Sequence, residues 1–487
     1  MKKQMIARLL VVTMFAGVLT GCGSAEDKTT SVKLDPGNPV SLTIWHYYNG
    51  TQQATFDELL EEFNATEGKE KGIYVEGYSM GSVSDLEKVV NDSINEEVGA
   101  EELPDIFSSY ADTAYFAEQQ GKLADLTQYF TEDELAQYVD SYVDEGYLNE
   151  DGKLYLLPVA KSTEIMMINK TDWEPFAEAA GVSLDELSTI EGVAKVAEEY
   201  YNWTDSLTPD IPDDGKAFYG RDAMANYFII GMKQMGEDIF EVKDGQVTVH
   251  TDKELLHRLW ENYYMPMMKG YFCAYGKFRS DDVKTGDVIA YTGSTASSFY
   301  FPDQVEKEDA SYPIDYIVMN APIMEGGENY KVQQGAGMAV TKSDEEHEYA
   351  ASVFLKWFTG KEQNLKFVCQ SGYMPVLKEA NTMSALDEVI AEQNIEMNGK
   401  AYNCLQTVLN DFDDTMFYTT QNFENGNAMR KVLEYHLSDR VQADQEAMEQ
   451  AVAEGASREE ELQKYVSEDS FESWYSDFCN ALSETAK

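Results

Sequence analysis

An α/β chain of two lobes is what this sequence predicts, on three observations. From residue 41 onward, runs rich in β-branched and aromatic residues alternate with helical stripes. That order implies right-handed crossovers and a mainly parallel sheet. After a polar leader, roughly 450 residues remain, more than one hydrophobic core ordinarily holds. The chain is 43% hydrophobic and 12% aromatic, enough to fill large cores, so it is not disordered by composition.

The elements follow in order. "SLTIWHYY" (41–48) reads as a strand, and "TQQATFDELLEEFNAT" (51–66) as a helix with Phe56, Leu59, Leu60 and Phe63 on one stripe. "GIYVEGYS" (72–79) is a second strand, 85–98 a helix, "LPDIFSSY" (103–110) a third strand, and a helix follows that ends near Gly121. Residues 153–170 give two short strands around Pro158. Residues 203–216 are a polar, Pro-containing loop; 223–236 and 252–268 are helices. Strands are predicted at 286–294, 315–323 and 335–342. Tyr349, Val353 and Trp357 recur at helical spacing over 344–360, with Gly360 as the stop. From about 402 to 484 the chain is mostly helical, with an acidic face between 438 and 470. In an open α/β sheet, ligands bind beyond the carboxyl ends of the strands. Here those ends are Tyr47-Tyr48-Asn49 and Ser109-Tyr110-Ala111-Asp112.

The start of the chain is of another kind. Lys2, Lys3 and Arg8 precede an uncharged run, Leu9 to Leu19, and small residues follow. This is the pattern of an export signal, and the run is too short to span a bilayer. Leu19-Thr20-Gly21-Cys22 resembles the bacterial lipobox, which implies cleavage after residue 21 and a lipid on the Cys22 thiol. Residues 22–39 then read as a flexible tether. The expected place is the outer face of a bacterial cell membrane, held by lipid alone.

The net charge is −51, and removing residues 1–21 makes the chain more acidic still. Such a coat repels phosphates, which argues against a nucleic-acid partner. Cys273, Cys369, Cys404 and Cys479 are widely spaced with no CxxC, which excludes the usual zinc spacings. Free thiols fit them better than one long-range disulfide. Enzyme signatures fail on inspection. "HEYAA" (347–351) has alanine where a zinc-protease helix needs its second histidine. There is no P-loop. "DIPDDGK" (210–216) puts Pro212 and Arg221 at calcium-loop positions that need oxygen ligands. A glycosidase needs only two spaced carboxylates, which an acidic chain always offers. No cofactor or metal motif is found.

At this point the chain resembles the extracellular solute-binding proteins of bacterial ABC importers, the family of maltose-binding protein. The resemblance is carried by "LTIWHYY", "LPDIFSSYADTAYFAEQQGKLADL", "GKLYLLPVAKSTEIMMINKTDWE", "GDVIAYTGSTASSF" and "GAGMAVTKSDEEHEYAASVFLKWFTGKEQNLKF" with "GYMPV" after it. It implies a two-lobed periplasmic-binding-protein-like fold of type II, with the ligand cleft between lobes. Lobe 1 would be 40–157 with 318–358, and lobe 2 would be 158–317 with 359–487. It also implies a monomeric receptor, not an enzyme, that delivers a small-molecule solute to a membrane permease. An oligosaccharide is the first choice of solute; a peptide or polyamine, or a surface glycosidase, are the alternatives.

Sugar rings need flat aromatic faces and planar polar groups. Tyr47, Tyr48 and Asn49 supply both at a strand end, and strand alternation puts Tyr47 and Tyr48 on opposite faces. Asp112 aligns with a ligand-contacting aspartate of the family, and Tyr110 lies two residues before it. Lys161 and Ser162 follow the first crossing, where a relative has a polar contact; Lys161 also fits an exposed hinge charge. "TGSTASSF" (292–299) departs from the family, which commonly has a Trp after the Gly; Ser294 and Phe299 are the candidates there. Gln334 and Gly335 begin a strand near the cleft, where the glycine also suits a tight turn. Arg221 and Asp222 precede an apolar helix, where either could contact ligand or cap and pair; capping and pairing is the preferred reading.

Overall fold

A computed structural model describes residues 32–486 other than Asp244, Glu308 and Asp309. Cys22, the signal and the first part of the tether lie outside the described residues.

Two sheets organise the chain. In the first, Val40–His46 pairs in parallel with Ile73–Ser79 and with Ile106–Ser109. Gly337–Val340 then runs antiparallel between Ile106–Ser109 and Leu156–Pro158. Leu42, Ile44 and Ile106 bury one layer against the helix Gly50–Ala65, whose stripe of Phe56, Leu59, Leu60 and Phe63 is covered. Four such side chains at about 1.5–3 kcal/mol each make that stripe the reason this helix docks where it does.

In the second sheet Glu164–Asn169 lies between Tyr316–Asn320 and Ala290–Ser294, both antiparallel to it, and Tyr219–Arg221 pairs in parallel with Ala290–Ser294. Every residue of Glu164–Asn169 is buried, so the strand has no solvent face. Ile165 and Met167 join the core of the first sheet, while Met166 and Ile168 join a second core. The second core is built on the helices Met224–Gln234, Lys253–Met268, Gly426–Ala453 and Glu468–Thr485.

The lobe limits differ from those the resemblance implied. Tyr316–Asn320 pairs within the second sheet, so the chain crosses back at 333–337, not at 318. Helices Lys361–Ser371, Met383–Gln393 and Gly399–Asn410 bury Leu365, Phe367, Leu386 and Leu405 in the first core, not the second. After Gly337–Val340 the chain rejoins the second core only beyond residue 410. Cys273, Cys369 and Cys404 are buried free thiols and Cys479 is a half-buried one. No described helix is long and apolar enough to cross a membrane.

Candidate functional site

The carboxyl ends of the parallel strands converge beside the crossings. The crossings are knit by backbone: Ser162 N–H donates to Gln334 O at 2.8 Å, and Gln334 N–H to Ser162 O at 3.0 Å. Ser162 is buried there, and the Gln334 side chain accepts from Asn226 Nδ2 at 3.1 Å. Asn226 Nδ2 also donates to Glu164 Oε1 at 2.9 Å, and Glu164 Oε2 receives Arg221 at 2.9 Å. Arg430, in the first turns of Gly426–Ala453, donates to Asn226 Oδ1 at 2.5 Å. Buried charges hold only when paired and hydrogen-bonded. This chain of partners satisfies that and ties three separate segments to the crevice floor.

The aromatic end differs from expectation at one residue. Tyr47 brings its phenol to 3.3 Å from that of Tyr373. Burial pushes its pKa well up, and the Tyr373 and Tyr110 phenols push it further. Tyr48, past the strand's end at His46, has its ring 5.2 Å from that of Tyr47 but different further partners. It is 1% exposed and packs on Phe56 and Phe367 with ring centres 5.1 and 5.0 Å away. Tyr48 is therefore a core residue, and its assignment to the ligand cleft is corrected. Asn49 is exposed at the start of Gly50–Ala65 and makes no side-chain cap bond.

Asp112 sits in the first turn of Ala111–Gln119, where a helix favours negative charge. Burial raises its pKa, and the Arg430 guanidinium opposes that rise. A Cβ on Gly426 would lie 3.1 Å from Asp112 Oδ1, so the helix Gly426–Ala453 abuts it. Tyr110, half-buried, has its pKa raised first by burial and then by Tyr373. Tyr47, Tyr110, Asp112, Tyr373 and Arg430 thus form one cluster. Phe299 joins it from the second sheet: its ring packs at the Gly372 turn, next to Tyr373. Ser294 is half-buried and caps the short helix Thr295–Tyr300, accepting from Ala296 N–H at 3.3 Å.

Lys161 is not available to a ligand. It is 1% exposed, pairs with Glu145 at 2.7 Å and donates to Gly335 O at 3.0 Å. Its role is to hold the crossing, which corrects the ligand-contact assignment. Gly335 is likewise structural: at φ +102°, a Cβ there would lie 2.8 Å from Ala160 O.

On the second sheet's side, a cavity of about 740 Å³ opens at the carboxyl end of Tyr219–Arg221. Tyr275, Phe278 and Tyr435 line it with exposed rings, and Asp222, Arg279 and Glu434 offer planar polar groups. Burial pushes Asp222 up to about 6, against the pull of Arg279, whose backbone N–H donates to it at 3.1 Å. Lys277 on the rim acts on Asp85 across the crevice. Arg221 pairs with Glu164 and Asp222 with Arg279, and both residues also line this cavity.

Sequence reasoning missed Tyr373, Asn226 and Arg430, along with the aromatic set of the cavity. "GYMPV" carried a hint of the first, and Arg430-Lys431, a basic pair opening a helix in an acidic region, was a signal for the last. Among the described residues, no group of three or more His, Cys, Asp or Glu could hold a metal ion.

The fold has solved counterparts. The cyclic α-maltosyl-1,6-maltose binding protein of Arthrobacter globiformis is 19% identical, with 92% of this chain and 100% of that chain covered and a TM-score of 0.63. An ABC substrate-binding protein of Listeria monocytogenes in complex with cycloalternan is 14% identical, covers 92% and 100%, and has a TM-score of 0.63. UgpB of Mycobacterium tuberculosis in complex with glycerophosphocholine is 17% identical, covers 92% and 99%, and has a TM-score of 0.61. At these identities the likeness speaks to the fold, which is the two-lobed periplasmic-binding-protein fold. No curated protein matches the chain by sequence. A family model for the bacterial extracellular solute-binding proteins matches residues 58–396, more than half of the chain, and the chain belongs to that family.

Proposed function

We propose that this protein is a lipid-anchored receptor, tethered through Cys22, that captures an oligosaccharide and delivers it to an ABC permease. The observation that carries the sugar reading is the cavity of about 740 Å³, where Tyr275, Phe278 and Tyr435 stand beside Asp222, Arg279 and Glu434. Apolar C–H faces stack on rings, and paired hydroxyls bridge carboxylate and guanidinium edges. The Tyr47–Tyr110–Tyr373 cluster with Asp112 and Arg430 supplies the same two chemistries from the facing side. Neighbours of the same fold with cyclic maltosyl-maltose or cycloalternan in their names support the same class. Closure of the two halves over the solute would bury it from both sides, and the closed form is what a permease would recognise.

The test is calorimetric titration of the domain from residue 23 onward with a panel of oligosaccharides, peptides and amines. Saturable 1:1 binding of a saccharide without release of product supports the reading. Binding of a peptide or amine alone, or turnover of a glycan, sinks it. Globomycin-sensitive labelling of the full chain by a fatty acid, lost in Cys22→Ser, tests the anchor separately.

A further inference from the structure

A second cavity, of about 730 Å³, shares no lining residue with the cavity at the end of Tyr219–Arg221. Its walls come from both sides of the crossings: Tyr115 and Tyr147 follow strands of the first sheet, while Val242 and Tyr418 pack on the second core. Gln333 lines it, one residue before Gln334, and alternation sends the two amides to different partners. Gln333 is 3% exposed. Its Nε2 donates to Ser141 O at 2.9 Å and to Glu145 Oε2 at 2.5 Å, which fixes the amide. That leaves Gln333 Oε1 buried without any hydrogen-bond partner. An amide oxygen has two acceptor sites, and leaving both unmet in a buried place is unfavourable.

The rest of the lining says what donor would meet it. Among the described residues, four carboxylates line the cavity, from Asp144, Glu145, Glu150 and Asp151, and no Lys, Arg or His does. Glu145 is paired with Lys161 and Asp151 with Lys153, but Asp144 and Glu150 have no cation partner among the described residues. Tyr115, Tyr147 and Phe417 add ring faces, which attract cations. We propose that this cavity is a second binding site, for a small organic cation carrying primary ammonium groups, one of which donates to Gln333 Oε1 while others pair with Asp144 and Glu150. An N–H donor is required by the orphan acceptor, which a quaternary ammonium lacks. Because its walls belong to both halves of the molecule, an occupant stabilises the arrangement that keeps them together, and so tunes closure over the solute.

The test uses the domain from residue 23 onward, titrated with spermidine by calorimetry. Wild type is expected to bind one equivalent saturably. Asp144→Asn with Glu150→Gln, both exposed positions, is expected to weaken binding at least tenfold, and Gln333→Leu likewise. The control pair Glu459→Gln with Glu460→Gln, on an exposed helix elsewhere, removes the same charge and should leave affinity unchanged. No saturable binding overturns the proposal. Equal weakening by both double variants overturns it too, because diffuse attraction to an acidic coat then explains the heat. Loss of spermidine binding in Tyr275→Ala with none in the Asp144/Glu150 variant also overturns it, by moving the amine to the crevice. The oligosaccharide reading stands or fails on its own titration, so the two failures are distinguishable.

Discussion

Lys161 and Glu145 form an ion pair at 2.7 Å with side chains only 1% and 7% exposed, at the place where the chain first passes between the two sheets. Glu145 also accepts from Gln333, and Lys161 also donates to Gly335 O, so the pair clamps both crossing segments. Removing one partner strands the other charge in a poorly solvated site. Lys161→Met is therefore expected to cost about 3–5 kcal/mol of stability. The double variant Lys161→Met with Glu145→Leu should recover a good part of that. Urea unfolding of the three variants measures it; a double variant no more stable than Lys161→Met would show that the pair is not the source of the cost.

Tyr47 and Tyr48 differ in their partners, the Tyr373 phenol for one and the Phe56 and Phe367 rings for the other, and variants should separate them by phenotype. Tyr48→Ala opens a void among Phe56 and Phe367 and is expected to cost about 3 kcal/mol or more of stability. Tyr47→Phe breaks the contact with the Tyr373 phenol and removes a polar edge from the crevice. It should weaken solute binding about tenfold, near 1.4 kcal/mol, with the melting temperature almost unmoved. The reverse pattern, with Tyr48→Phe weakening binding and Tyr47→Phe not, contradicts this geometry.

Much of the fold was legible because it is written locally. Strand content, helical stripes and stops placed the first three strands and the helices between them within a few residues. What failed was non-local. Lys161 has an ordinary surface look in sequence, and its partner Glu145 is one acid among many in "DSYVDEGYLNEDG". The strand 316–320 reads as a strand, but nothing in it says which sheet it joins. Tyr373 reaches Tyr47 across 326 residues, a contact that only the packing of Lys361–Ser371 on the first core creates. The crevice was half-read for the same reason: its strand-end residues are local, while Asn226, Arg430 and Tyr435 arrive on helices from elsewhere.

Tyr275 and Tyr435 stand as exposed rings, 76% and 55%, in the cavity at the end of Tyr219–Arg221. Neither supports the core, so truncation should spare the fold. Each change to Ala is expected to lower oligosaccharide affinity about tenfold, the loss of roughly one aromatic face. Thermal melting within about a degree of wild type, with calorimetric affinity reduced, is the expected pair of results. Unchanged affinity in both variants removes the cavity from the solute path.

Asp222 makes the crevice pH-sensitive. Its pKa is raised from 3.8 to about 6, chiefly by burial, with Arg279 opposing. The folded state therefore keeps a proton that the unfolded chain releases between these two values. Over that window the stability contributed by this group falls as pH rises, by at most about 3 kcal/mol once pH exceeds 6. Asp222→Asn should flatten this component, so the difference in urea midpoint between variant and wild type should grow from pH 4 to pH 7. A constant difference across that range would mean that Asp222 titrates normally.

Gly335 is the position where the crossing tolerates least. Its φ of +102° lies outside the range that residues with a Cβ adopt, and an added Cβ would meet Ala160 O at 2.8 Å and Lys161 Cα at 3.1 Å. Both neighbours are backbone of the other crossing segment, so no side-chain rotation relieves the contact. Either the two crossings move apart or the bonds between Ser162 and Gln334 break, and both outcomes act on the hinge before they act on any ligand group. Gly335→Ala is thus expected to cost about 2 kcal/mol or more. Because the crossings set the relative position of the two halves, solute affinity should fall as well, although residue 335 offers no side chain to a ligand. Unfolding and titration of this one variant read both effects. Wild-type stability in Gly335→Ala would show that the crossing is slack enough to absorb a methyl group, and the tight backbone register between the two segments would then not be what positions the site.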